Sequence, residues 1–234
     1  MNALRITVFL LSIPVVCIAQ PAGPGTDTRS EAETTKLREL ERRIDSGEFD
    51  ALFELAKMRP SVALPFIYYG YLETIGDSPQ RREVARKALR SVQGISGYFR
   101  EQLADPATSP WREDQAFGIL SMIGTREAAG VVAPYVFDFS GSPGTGDVFE
   151  TSTAIFATIA LMGMKLADAP TGAREEWQMD DIVLWQRWAI KNGFVPKEWN
   201  SRVGLSEHLR KWRDFDAGIS LPTEKPSPKA APPK

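Results

Sequence analysis

From Ser30 onward, apolar residues recur at intervals of three and four, the spacing of one helix face. Ser30-Glu31-Ala32-Glu33 has capping-box spacing, and Leu37, Leu40 and Ile44 follow at i, i+3, i+7. They predict a helix with a narrow apolar stripe, ended by Gly47. Residues 48–58 predict a short helix bearing Phe49, Leu52, Phe53 and Leu55, broken at Arg59-Pro60-Ser61. Residues 62–75 predict a third helix, dense in Phe66, Tyr68, Tyr69 and Tyr71. Pro65 sits in its first turn or kinks it, and Gly76 ends it. Ser78-Pro79 is a cap followed by proline at the first helical position. Val84, Ala85, Ala88, Leu89 and Val92 then share a face up to Gly94.

A weaker helix is expected over 95–104. Ser109-Pro110 repeats the cap-then-proline start, with Ala116, Phe117, Leu120 and Ile123 inward and Gly124 as the stop. Thr125 caps the next helix, with Ala129, Val132, Ala133 and Val136 inward. Residues 140–146 read as a loop, after which Asp147 and Glu150 start another helix. Residues 151–164 carry no charge, predicting a helix buried on every side. A loop over 169–178 leads to a helix over 180–191 with Ile182, Trp185, Trp188 and Ala189, closed by Asn192-Gly193. Leu205, Leu209 and Trp212 mark a last helix over 205–212. No alternating run bounded by hairpin turns appears, so the fold class is all-α.

Weak repetition runs through these helices. Val62-Ala63-Leu64-Pro65-Phe66-Ile67 matches Val131-Val132-Ala133-Pro134-Tyr135-Val136, 69 residues on. Leu120-x-x-Ile123-Gly124 also matches Ile159-x-x-Met162-Gly163, 39 residues on. The implied units are roughly 48–75, 79–106, 111–139 and 148–192. Hairpins of about 30–40 residues, small-residue-rich helices and the Ala129-to-Val136 segment resemble HEAT-like α-solenoid repeats over about 48–192. The units are unequal, and no regular Asp and basic residue closes each hairpin. The resemblance implies helical hairpins stacked as a short right-handed HEAT-like solenoid, the alternative being an irregular helical bundle. It also implies a scaffold or binding surface rather than chemistry.

Composition narrows the class further. The chain has 234 residues, 43% hydrophobic and 25% charged, which is globular. A formal charge of −2 argues against a protein built to coat nucleic acid. Residues 1–19 read as a secretory signal: Arg5 is the one charge, Ile6 to Ala19 is almost continuously apolar, and Cys17 and Ala19 precede a cut before Gln20. The expected location is periplasmic or extracellular, with no transmembrane span after signal removal. The alternative is a lipoprotein anchored at Cys17, although Val16 stands where that processing wants a small residue. Cys17 is the one cysteine, so the mature chain needs no disulfide framework and stands on its core. Residues 20–29 read as a flexible leader, 30–220 as the all-α helical-repeat domain, and 221–234 as a disordered tail rich in Pro and Lys.

Candidate chemistry is sparse. His208 is the single histidine, with Ser206 and Glu207 on other helix faces, so no triad or metal set forms around it. The glycine-rich run 141–146 lacks the strand–loop–helix context of a phosphate loop. Paired acids remain for carboxylate catalysis: Glu73 with Asp77, Glu113-Asp114, Glu175-Glu176 and Asp180-Asp181. Acids in a first helical turn are expected on dipole grounds alone. No cofactor or metal is implied, and no catalytic residue is assigned.

Two surfaces stand out as partner-binding candidates. Arg82, Arg86 and Arg90 share an i, i+4 line, suited to an acidic partner, a glycan or an anionic surface. Five of the six tryptophans lie between 177 and 212. Of these, Trp177, Trp185, Trp188 and Trp199 are the binding candidates, since indoles serve as hot spots and sugar platforms. A cap that seals the last repeat is the competing use. The sequence thus points to an exported interaction or scaffold protein that binds a protein partner. The alternative is a glycan-binding or carboxylate-based glycan-active protein of the cell wall.

Overall fold

The computed structural model describes residues 30–72, 79–105, 109–140, 152–170 and 177–216. The expected signal, leader and tail lie outside the described residues. So do the 141–146 run, Ser78, Gly76, Glu73, Asp77, Glu175 and Glu176. Among the described residues there are ten α-helices and no strand, so the protein is all-α. No described helix is long and apolar enough to cross a membrane.

Local signals place most boundaries. Helix α1 is Glu31–Asp45, and its capping box is formed: Glu33 N–H donates to Ser30 Oγ at 3.1 Å and Ser30 N–H to Glu33 Oε2 at 3.1 Å. Helix α2 is Ala51–Leu55 and α3 is Pro60–Ile67. The single helix expected over 62–75 instead changes at Tyr68 to a π-helical segment, Tyr68–Leu72. Pro65 disturbs the ladder one turn earlier, inside α3: it has no N–H for the Ser61 carbonyl, and its ring crowds that carbonyl. Helix α4 is Pro79–Ser91 and α5 is Ile95–Ala104.

Helix α6 is Glu113–Ile123 and starts later than Ser109-Pro110 suggested. Ser109 Oγ accepts from Trp111 N–H at 3.1 Å, building a turn that carries Trp111 into the core. Gly124, at φ +65°, closes α6 in the left-handed conformation that glycine adopts without Cβ strain. Thr125 caps α7, Arg126–Val132, by accepting from Ala128 N–H at 3.1 Å. That helix tightens into a 3₁₀ turn, Ala133–Phe137, beginning beside Pro134. Helix α8 is Thr153–Gly163, α9 is Met179–Lys191, a 3₁₀ turn spans Lys197–Arg202, and α10 is Glu207–Asp216. Asp181 caps α9 by accepting from Gln178 N–H at 2.8 Å.

The helices pack in alternation. Helices α2, α4, α6 and α8 touch in that order, and α3, α5, α7 with its 3₁₀ turn, and α9 touch in theirs. Members of the two series also contact where they are consecutive, as α3–α4, α5–α6, α6–α7, α7–α8 and α8–α9 do. Such packing is compatible with a helical repeat fold. Helices α6 and α8 run parallel. Thr153 Oγ1 donates to Glu113 Oε2 at 2.9 Å at their N-terminal ends. A Cβ at Gly163 would collide with Ser121 Oγ, and one at Gly124 would lie 3.3 Å from Met164 O, at their C-terminal ends. Helix α4 joins the same register: Arg90 Nε donates to Met122 O at 2.9 Å, C-terminal end to C-terminal end.

One apolar core runs from Leu37 to Val195, and a smaller one joins Ala154, Ile155, Ile182 and Leu209. Two expectations need correction. Helix α8 is not buried on every side, because Ile159 is 42% exposed and Phe156 half-buried. Lack of charge there marks a helix with two buried faces and one open apolar face. The 39-residue alignment also falls. Leu120 is fully buried where Ile159 is exposed, and Gly124 ends a helix where Gly163 lies within one.

Candidate functional site

The sequence candidates separate by burial. Trp185, at 0% exposure, and Trp188, at 4%, are core residues of α9, with ring centroids 4.8 Å apart and edge to face. They seal the last helices rather than face a partner, because their i, i+3 spacing puts both on the stripe turned toward the core. Trp185 Nε1 is buried without a hydrogen-bond partner among the described residues. Trp177 is 37% exposed and precedes α9. Trp199 is half-buried in the 3₁₀ turn, edge to face with Phe137 at 5.1 Å. The Arg202 guanidinium lies 4.0 Å from the Trp199 ring centroid. Trp212 and His208 lie in α10, with side chains outside the described set.

Packing orders the ground beneath these rings. Gln186 is fully buried, and its amide is saturated: Nε2 donates to Val136 O at 2.9 Å and to Gly204 O at 3.1 Å, and Oε1 accepts from Gly204 N–H at 2.8 Å. It ties α9 to the 3₁₀ end of α7 and to the turn before α10. Nearby, Arg126 donates to Asp168 Oδ2 at 3.0 Å and to Asn192 Oδ1 at 2.6 Å, and its guanidinium also covers the Phe194 ring. The Arg126 guanidinium holds the Asp168 carboxyl below the usual carboxylate range.

All three candidate arginines of α4 are exposed. Arg90 is anchored by the Met122 carbonyl, whereas Arg82 and Arg86 make no hydrogen bond or ion pair with any described residue. Beside them Lys87 pairs loosely with Glu83 at 3.9 Å. Arg81, one residue earlier, turns inward instead and covers the Tyr71 ring at 4.6 Å and the Phe49 ring at 5.5 Å.

Sequence reasoning passed over the sixth tryptophan. Trp111 is buried at the centre of an aromatic cluster. Tyr69 stacks on it at 5.4 Å and 6°, while Tyr68 and Phe99 meet it edge to face. Its indole N–H donates to Tyr98 Oη at 2.9 Å. Burial pushes the Tyr98 hydroxyl above the ordinary tyrosine value, partly offset by that indole donor. The π-helical segment brings consecutive Tyr68 and Tyr69 against one indole. The signal was the run Tyr68-Tyr69-Gly70-Tyr71, read only as helix content.

Of the acid pairs, those in the described residues have local partners. Glu113 accepts from Thr153, Asp114 pairs with Arg112 at 2.6 Å, Asp181 caps α9 and Asp180 faces Arg213 at 3.4 Å. Among the described residues no group of three or more His, Cys, Asp or Glu gathers to hold a metal. No family model matches the chain, and no curated protein or solved structure matches it.

Proposed function

We propose that the protein is an exported interaction module whose HEAT-like stack of helical hairpins presents a surface to a protein partner. The alternation of contacts carries this reading: each helix of one series touches the next of the same series, and most consecutive helices, from α3–α4 to α8–α9, touch across the two series. Such neighbour-only packing belongs to repeat arrays and gives them extended faces for binding. The proline-containing segments support it too. Residues 60–72 and 126–137 both belong to the second series, and each leaves the regular α-helix after or beside its proline. The N-terminal run of Arg5 followed by Ile6 to Ala19 supports export.

The test is chemical crosslinking of the full chain, expressed at native level in its own cells, followed by mass spectrometry. A reproducible protein partner, joined through the exposed faces of the α2–α4–α6–α8 series or its counterpart, is expected. N-terminal sequencing of the same material should begin at Gln20. Recovery of the chain with no crosslinked partner overturns the interaction role, and an intact Met1 terminus overturns export.

A further inference from the structure

The outward surface of α4, α6 and α8 is chemically divided. On α4, Arg82, Arg86 and Arg90 project along about 12 Å of helix. Arg90 bonds to Met122 of α6, so this line borders the α4–α6 seam. On α8, Phe156, Ile159 and Gly163 occupy one stripe, and Gly163 meets Ser121 of α6. The outward side of α6 between them carries half-buried Gly118, Ser121 and Met122, with the Asp114 carboxylate one turn before Gly118 held by Arg112, and with Ala116, Phe117, Ile119 and Leu120 buried on the opposite side. A Cβ built at Gly118 meets nothing within 4 Å, so the middle of α6 is an open floor. The parallel register, pinned by Glu113–Thr153 and Ser121–Gly163, puts Gly118 level with Ile159, and the Arg90–Met122 bond brings Arg86 level with both.

We propose that this floor is a docking groove for one amphipathic helix of a partner protein, with acidic residues on one flank and apolar residues on the other. The inference rests on the interaction reading above and assigns its surface. Carboxylates spaced i, i+4, i+8 match the arginine line turn for turn, and each meets a guanidinium whose geometry suits bidentate pairing. Arg82 and Arg86 have no described acid to give up, so pairing them breaks no bond among the described residues. The apolar flank covers Ile159 and Phe156, the i/i+3/i+4 mode of a helix laid in a groove. The bare floor at Gly118 lets the incoming backbone approach α6.

The probe is a synthetic peptide of about 16 residues, with Glu at every fourth position on one flank and Leu on the other, read by fluorescence anisotropy against the full chain. A scrambled peptide of equal composition is the control. The patterned peptide should bind, and Arg82→Glu with Arg86→Glu, Ile159→Glu, and Gly118→Trp should each weaken it by about tenfold or more, with melting temperature unchanged. Equal binding of the scrambled peptide, or no effect of the three variants, overturns the groove. So does preference for anionic phosphatidylglycerol vesicles over the peptide, or a dimer that hides Ile159. In the crosslinking experiment, a partner joined only through other faces sinks this assignment and leaves the interaction module standing; no partner at all sinks both.

Discussion

Leu120 is fully buried within the main core, at a position its i, i+3 relation to Phe117 and Ile123 places on the inner face of α6. Truncation to alanine removes its contacts and leaves a cavity, so Leu120→Ala should cost about 2–5 kcal/mol by denaturant unfolding. A loss below about 0.5 kcal/mol would be a surface effect and refute the assignment. Burial also acts on phenols. Burial chiefly raises Tyr71, Tyr98 and Tyr135 above the ordinary value, with Arg81 and Trp111 lowering the first two in part and Glu113 and Asp138 raising the third further. The folded state therefore prefers neutral tyrosine. That preference is fully present below the unfolded value near pH 10 and is lost as pH rises through the higher folded values. Unfolding should set in above about pH 10, together with a step in phenolate absorbance. A phenolate titration centred at the free value, with the fold intact, would contradict this.

At the scale of elements, caps and stops were legible because they are local chemistry. Ser30 with Glu33, Thr125 and Gly124 do in the structure what their spacing implied, whereas Gly94, expected to close α4, stands as the N-cap of α5 while α4 already ends at Ser91. What the sequence did not disclose depends on neighbours distant in the chain. An uncharged helix says nothing about which side lacks a neighbour, and α8 leaves Ile159 open because no described element packs there. Clustered tryptophans likewise read as one surface until α9 turns Trp185 and Trp188 inward. The stop at Gly124 carries two constraints at once, its left-handed φ and the approach of Met164 O. Gly124→Ala should cost about 1–2 kcal/mol, visible as a lowered unfolding midpoint. Gly118→Ala, in open space within the same helix, should be neutral or stabilising by up to about 1 kcal/mol. Equal costs at both positions would show that the α6–α8 crossing imposes nothing at Gly124.

Across the whole molecule, contacts thin toward both ends. Helix α1 packs chiefly on α2, through Leu37, Leu40 and Ile44. Among the described residues, α10 joins the small core through Leu209. The middle is held from several sides: α6 touches α4, α5, α7 and α8, and α9 is sewn by Gln186 to two separate backbone segments. An array built from neighbour contacts loses its ends first, since a terminal helix has one partner to leave and an internal helix has several. Native-state hydrogen exchange should therefore show α1 and α10 opening locally, at free energies well below global unfolding. Helices α6, α8 and α9 should exchange only with the whole. Gln186→Ala leaves the Gly204 N–H and two carbonyls without their side-chain partner, and should lower the opening energy of α10 more than that of α1. Uniform protection from α1 to α10 would mean a single cooperative bundle and would remove the physical basis for reading the helices as stacked units.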